Sequence, residues 1–320
     1  MDPDLAFALR GVSATVGQFH LRDVSFSLPL GYVMGFIGAN GAGKTTTIRC
    51  LLGMQHFERG EIEVLGHPVP GPAGLRQDVG VVLDHTYLVG DWRLSDVERA
   101  VRPFYDRWDS TRYHDLLGEF GLEPRAKVKD LSRGMAVKLT IALALSHQAR
   151  LLVFDEPTSG LDPSARDELI GILGDFLIDE GHSVLFSTHI TSDLERIGDY
   201  LTLIHGGQIV CTGTKEQVLD SYRIARGGPD DLTGTIGARI IGARRTPAGV
   251  QALVPAEDAR LLDPRVLIEA PTLEEIAVHI GAREAKNSLT GVSARGAGPA
   301  PQRSAAVPDA HGSTLTGGAS

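Results

Sequence analysis

The chain has 320 residues, a formal net charge of −9 at pH 7 and 42% hydrophobic residues, enough for one large α/β domain with a sizeable core and a smaller appendage. Its acidic balance, without long blocks of one sign, argues against a protein whose main affinity is for nucleic-acid phosphates. Two distant cysteines, Cys50 and Cys211, suggest neither a disulfide framework nor a zinc site. Apolar stretches such as "LTIALALSH" are too short to span a bilayer, and "MDPDLAFALRG" lacks the charged and apolar regions of a signal peptide. A soluble chain in the cytoplasm is therefore expected, free or docked on a membrane partner.

In chain order, "GQFHLRDVSF" reads as an antiparallel strand and "YVMGFIG" as a buried one. The second runs into "GANGAGKT", Gly38 to Thr45, and then into the helical "TTIRCLLG", so G-x-x-x-x-G-K-[ST] stands in its strand-loop-helix context. Glycines let backbone N–H groups wrap a phosphate chain, and the helix N-terminus favours its negative charge. Lys44 is expected to reach the β/γ oxygens and Thr45 to offer its hydroxyl to Mg²⁺. After the strand "VGVVLD" comes a stretch, about Asp84 to Gln148, with helical patterns in "LSDVERAVRPFYDRW" and "RYHDLLGEFGL" and no convincing strand. It ends in "DLSRGMAVKL", where Ser132 is a good N-cap and Val137, Leu139, Ile141, Ala142 and Leu145 form a candidate buried face.

"LLVFDEPTSGLD" is a buried strand closing on two acids at the carboxyl end, where open α/β sheets bind ligands. Asp155 can hold the metal while Glu156 accepts a proton from the attacking water. "SVLFSTH" ends in His189 at the same sheet edge, within reach of a γ-phosphate. "YLTLIHGGQIVCTG" reads as a further strand region. After about Tyr222 the composition changes, and "TLEE", Thr272 to Glu275, is a capping box opening a short helix in "IAVHI". From about Glu284 the tail is dominated by Gly, Ala, Ser and Pro and is expected to be disordered.

With these motifs in place the chain resembles, over about Leu5 to Ser221, the nucleotide-binding subunit of an ABC transporter. "LSRGM" falls where that family carries its signature, usually L-S-G-G-Q. The resemblance implies an α/β, P-loop NTPase fold of the ABC ATPase kind: a RecA-like mixed sheet core, an antiparallel β subdomain and an inserted α-helical subdomain, with a small C-terminal appendage. The implied division is a nucleotide domain over 1–221, its helical part over 84–148, an accessory region over 222–283 and a tail over 284–320. ATP and Mg²⁺ are the implied ligands, and no covalent cofactor. The nucleotide would be held by Gly38, Ala39, Asn40, Gly41, Ala42, Gly43, Lys44, Thr45 and Thr46, with Glu156, His189 and Lys44 catalytic and Thr45 and Asp155 on the metal.

By the same resemblance Ser132, Arg133, Gly134 and Met135 act on nucleotide bound by a second ATPase subunit, and Asp162 of "SGLD" belongs to a loop crossing that interface. The plain alternative for Asp162 is a cap on the helix after Pro163. Arg133 and Met135 replace the usual Gly and Gln, and Asp84 stands where the family has a metal-sensing glutamine, as a further metal candidate. Val16 occupies the position of the adenine-stacking aromatic, with Phe19 nearby; Phe19 reads equally as an adenine contact or a core phenylalanine.

"LSRGM", Asp84, "PFYDRW", "STHITSDLERIGDY" and "PTLEEIAVHI" together look similar to the bacterial ABC-2-type export ATPases, which work with separate integral membrane permease subunits on antibiotics, bacteriocins, drugs or lipid-linked compounds. Such a subunit sits on the cytoplasmic face of the membrane, and Tyr87 and Trp92 are candidates for its permease contact. Two alternatives stay open: a regulatory subunit of a heterodimeric pair, and a soluble ABC ATPase outside transport.

Overall fold

In the computed structural model, which describes residues 4–71, 77–83, 87–228, 231–232, 239–247 and 249–281, the chain opens with a hairpin of two long strands, β1 (Leu5–Val16) and β2 (Phe19–Pro29). β3 (Val33–Ile37), α1 (Lys44–Leu51), β4 (Arg59–Val64), β5 (His67–Pro68) and β6 (Val79–Val82) follow. Three helices come next, α2 (Leu94–Val101), α3 (Ser110–Glu119) and α4 (Arg133–Ser146). Strand and helix then alternate through β7 (Leu151–Asp155), α5 (Pro163–Phe176), β8 (Ser183–Thr188), α6 (Thr191–Ile197), β9 (Tyr200–His205), β10 (Gln208–Thr214) and α7 (Lys215–Asp220). The described chain closes with β11 (Tyr222–Gly227), β12 (Gly242–Thr246), β13 (Gly249–Pro255), β14 (Leu267–Glu269) and α8 (Leu273–Gly281).

The central sheet has the order β10-β9-β3-β8-β7-β6. Its strands are parallel except for β10, which returns antiparallel to β9 at one edge. Every residue of β3, β7 and β8 is buried, as strands covered on both faces require. The strand order does the work of assembly. Although β3, β7 and β8 are far apart in the chain, register pairs Ile37 with Thr188 and Asp155 with Ser187, so their carboxyl ends lie side by side.

An antiparallel sheet, β2-β1-β4-β5, covers one face. Phe7, Phe26 and Phe36 join Ile48 and Leu51 of α1 in one core there, with Phe26 stacked on Phe36 at 5.2 Å between ring centres. Cys50 lies in this core as a free thiol, which burial pushes up to about 11. On the other face α4 packs against β6 and contributes Leu139, Ile141 and Ala142, beside Tyr113, Leu116 and Leu117 of α3. Val137 and Leu145 are only partly buried. Tyr113 settles its buried hydroxyl by donating to Leu94 O at 3.0 Å.

Two expectations are revised. The helical pattern expected through "PFYDRW" stops at Val101, and a single 3₁₀ turn, Arg102–Phe104, follows. Pro103 has no backbone N–H to donate to the carbonyl of Arg99, as a continuing helix would require, and the carbonyl of Phe104 accepts from Gln77 Nε2 at 2.9 Å. The segment after Tyr222, for which only a helix was expected, forms a four-stranded antiparallel sheet, β12-β13-β11-β14. The helix itself is present with its capping box: Glu275 N donates to Thr272 Oγ1 at 3.1 Å and Thr272 N to Glu275 Oε2 at 3.0 Å. Ile276 and Ile280 of α8 enter the same core as Leu194, Leu201 and Leu203, which ties this sheet to the main one. The tail expected to be disordered lies outside the described residues.

Candidate functional site

The loop between β3 and α1 is shaped by glycine. Gly43 has φ 115° and Gly41 φ 79°, conformations that side chains rarely adopt. A Cβ on Gly38 would stand 2.6 Å from the carbonyl oxygen of Ile204. The loop is held from β9-β10 by Gly207 N, which donates to Ala42 O at 3.0 Å. α1 carries no acidic residue in its first turn, so its positive end is left for an anion. Ala39, Asn40 and Gly41 are exposed, Thr45 and Thr46 half-buried, and Ala42, Gly43 and Lys44 buried. Lys44 is 5% exposed, and its ammonium donates to Gly38 O at 2.6 Å and Ala39 O at 3.3 Å.

β7 delivers the acids. Asp155 is 1% exposed and accepts a hydrogen bond from Ser187 Oγ at 3.0 Å. Sequence reasoning missed Ser187, although a polar residue inside the apolar run "SVLFST" was the available signal. Glu156 leaves the strand with φ 56°, a left-handed conformation costing about 1 kcal/mol in a residue with a Cβ. Its backbone N–H donates to Ser187 O at 3.0 Å. Its carboxylate is shared: Oε2 lies 2.6 Å from Nδ1 of His189, and Oε1 lies 2.9 Å from Nζ of Lys44. The latter is an ionic contact outside hydrogen-bond geometry.

Thr45 sits in the first turn of α1, which packs on β7 where Asp155 lies. One hydroxyl and one carboxylate make the donor set that Mg²⁺ takes when substrate phosphates and water complete its shell. Among the described residues no group of three or more His, Cys, Asp or Glu gathers into an all-protein metal site. The residues present therefore fit a magnesium ion carried in on the nucleotide.

Ser132 to Met135 form a second locus. Ser132 caps α4, its Oγ accepting from Met135 N at 3.3 Å; Ser132 and Arg133 are exposed, and Gly134 and Met135 half-buried. The start of α4 rests on the turn before α5: a Cβ on Gly134 would lie 3.6 Å from Leu161 and 3.8 Å from Ala165, ordinary contacts. Arg133 drapes over Gly160, with its Cδ 3.3 Å from where a Cβ would stand there. Asp162 caps α5, accepting from Ala165 N at 3.0 Å ahead of Pro163, so its capping reading is met within this chain. Phe19 begins β2, half-buried, with its ring tip 2.9 Å from where a Cβ on Gly43 would stand. Val16 is 40% exposed at the end of β1, Trp92 37% and Tyr87 72%. Asp84 lies outside the described residues.

A glycine loop closing on a helix N-terminus, with a buried acid and a carboxylate-histidine pair at the neighbouring strand ends, defines a P-loop nucleoside triphosphatase. The family model for ABC transporters matches residues 21–159. The Nod factor export ATP-binding protein I of Rhizobium meliloti is 33% identical over 305 residues, covering 89% of this chain and 90% of that protein. The protein of the same description from Neorhizobium galegae is 35% identical over 246 residues, covering 72% and 70%. A solved ATP-binding subunit of an ABC transporter superposes with a TM-score of 0.61 at 28% identity, over 67% of this chain and 91% of that one. The chain belongs to the ABC transporter family, as an ATP-hydrolysing subunit that works with membrane components.

Proposed function

We propose that this chain drives export through separate integral membrane permease subunits, from the cytoplasmic face of the membrane, and that it hydrolyses Mg-ATP as one of a pair of ATPase subunits, either two copies or this chain with a related one. The exported compound is proposed to be an antibiotic, peptide, drug or lipid-like molecule. The named export proteins among the relatives and the family branch read from the motifs support this. None of the described helices is long and apolar enough to cross a membrane, and the path through the bilayer is proposed to lie in the permease subunits. Residues 1–221 are proposed as the nucleotide domain, 84–148 as its helical part and 222–283 as an accessory region.

The observation that carries the catalytic reading is the Lys44-Glu156-His189 chain on the phosphate loop. Lys44 and the loop amides hold the β- and γ-phosphates. His189, bonded through Nδ1, orients Glu156, which takes the proton of the attacking water. When bound, Mg²⁺ would neutralise phosphate charge, and Thr45 and Asp155 would hold it, with Asp84 a further candidate. Ser132 to Met135 are proposed to close on the nucleotide of the second subunit, with the segment carrying Asp162 at the interface; the exposure of Ser132 and Arg133 supports this. Phe19, whose ring tip lies against Gly43 of the phosphate loop, and Val16 are proposed to border the adenine, and Tyr87 and Trp92 to meet the permease.

The test is the solution mass of Glu156→Gln protein with and without Mg-ATP, together with ATP turnover. Turnover is expected to fall roughly 10²-fold or more in Glu156→Gln, and a dimer is expected with ATP alone and not in Glu156→Gln/Ser132→Arg. An ATP-bound protein that stays monomeric at every concentration would replace the self-paired reading with a heterodimeric one.

A further inference from the structure

The ammonium of Lys44 is nearly sealed from solvent, and among the described residues it meets Gly38 O, Ala39 O and Glu156 Oε1. The Glu156 carboxylate is equally committed, with Oε1 on Lys44 and Oε2 on His189. Side-chain exposure is 5% for Lys44 and 14% for Glu156, so the ion pair is weakly screened. The cation that the phosphate loop offers to a triphosphate already faces an anion, and the carboxylate proposed to accept a proton from water has one oxygen against Lys44 and the other on His189.

We propose that Glu156 is an internal competitor for the phosphate position, so that nucleotide entry is an exchange of anions on Lys44. Phosphate oxygens displace Glu156 Oε1 from the ammonium, and the same displacement frees that oxygen to accept the attacking water. This rests on the nucleotide-site reading above and deepens it: Glu156 sets the affinity and charge selectivity of the loop as well as serving as base. At 2.9 Å the contact is a buried ion pair, and a phosphate anion that takes the place of Glu156 on the ammonium keeps that cation paired while the carboxylate leaves. Apparent affinity is then the intrinsic affinity multiplied by the fraction of molecules with Lys44 released. A ligand with more phosphate charge gains more from the exchange.

The contact depends on reach as well as on charge, which gives the test. Glu156→Asp keeps the charge but shortens the side chain by one methylene, and Glu156→Gln keeps the shape but removes the charge. Binding of mant-ADP, without Mg²⁺ and at protein concentrations where sedimentation shows a monomer, is to be measured for wild type, both variants and Lys44→Ala. The expected result is about ten-fold tighter binding than wild type in both Glu156 variants, equivalent to about 1.4 kcal/mol, and loss of binding in Lys44→Ala. If only Glu156→Gln binds more tightly and Glu156→Asp matches wild type, through-space repulsion explains the effect and the exchange is overturned. Unchanged affinity in both, with Lys44→Ala still defective, also overturns it while leaving the nucleotide site intact. Retained binding in Lys44→Ala would remove the site reading and the exchange together. Should Glu156→Gln fail to fold, Glu156→Asp alone decides.

Discussion

The phosphate loop and the start of α4 both carry glycines in motifs, yet the two regions justify them differently. At Gly38 this chain's own packing forbids a side chain, since a Cβ would press on the carbonyl of Ile204 at 2.6 Å and on Ala42 at 3.0 Å. At Gly134 a Cβ would meet nothing closer than 3.6 Å, and the residue lies within α4, where glycine is weaker than alanine by about 0.5–1 kcal/mol. The first glycine is explained inside the chain. The second has no such reason within this chain, and it is the one proposed to meet the nucleotide of a second subunit.

The comparison breaks most visibly under paired substitution. Gly38→Ala is expected to abolish nucleotide binding and to cost about 1–3 kcal/mol of stability, measured by calorimetry and nucleotide titration. Gly134→Ala should leave thermal stability unchanged or slightly raised and nucleotide binding by the isolated chain intact, while ATP turnover by the assembled pair falls at least about ten-fold. Equal loss of stability in both would show that Gly134 serves this chain's own packing.

A smaller effect is expected one shell from the chemistry. Ser187→Ala removes the donor to Asp155 and leaves a buried carboxylate oxygen with one bond fewer, at a cost of about 1–3 kcal/mol. Turnover should fall and its Mg²⁺ requirement rise, seen as a shift of the Mg²⁺ titration midpoint to higher concentration. Asp162→Ala removes a helix cap and is expected to cost about 1 kcal/mol. Asp162→Ser restores the cap, so any turnover defect it retains at wild-type Tm belongs to the interface role proposed for that residue.

The smallest effect separates the helical layer from the sheet by pH. His147 ends α4, stacks on Tyr105 at 4.0 Å and shares its Nδ1 with Gln77 O. Burial holds its imidazole below the usual histidine value of 6.5. The unfolded chain then takes up a proton first as pH falls below about 6.5, so stability declines on the acid side until the folded-state imidazole also titrates. Urea denaturation between pH 7.5 and 5 should show this slope, and His147→Ala should flatten it.

Much of the site could be read as residues in a row. Gly38 to Thr45, the pair Asp155-Glu156, the capping Ser132 and the capping box at Thr272 are each set by contacts within a few positions, where glycine freedom, helix caps and strand periodicity act locally. The sheet of β11 to β14 escaped because its strands are short and carry Arg and Gly at intervals, as in "YRIARG" and "GARRT". Their pairing is long-range: Tyr222 stands opposite Pro255, and Ile224 opposite Glu269. The helix stop at Val101 was legible in Pro103; what no local signal gave is the partner of the Phe104 carbonyl, Gln77, 27 residues earlier.

Read alone, the residues decide that a glycine loop joins a strand to a helix N-terminus and that an acid pair closes a buried strand, because those features follow from local conformation and side-chain chemistry. Only the folded chain decides that Lys44 meets Glu156 and that Glu156 meets His189. Those contacts join residues 112 and 33 positions apart, and they exist because parallel pairing of β3, β8 and β7 brings three carboxyl ends to one edge. Local preferences specify which groups are present; the strand order, set by burial of apolar strands on both faces, specifies which of them touch.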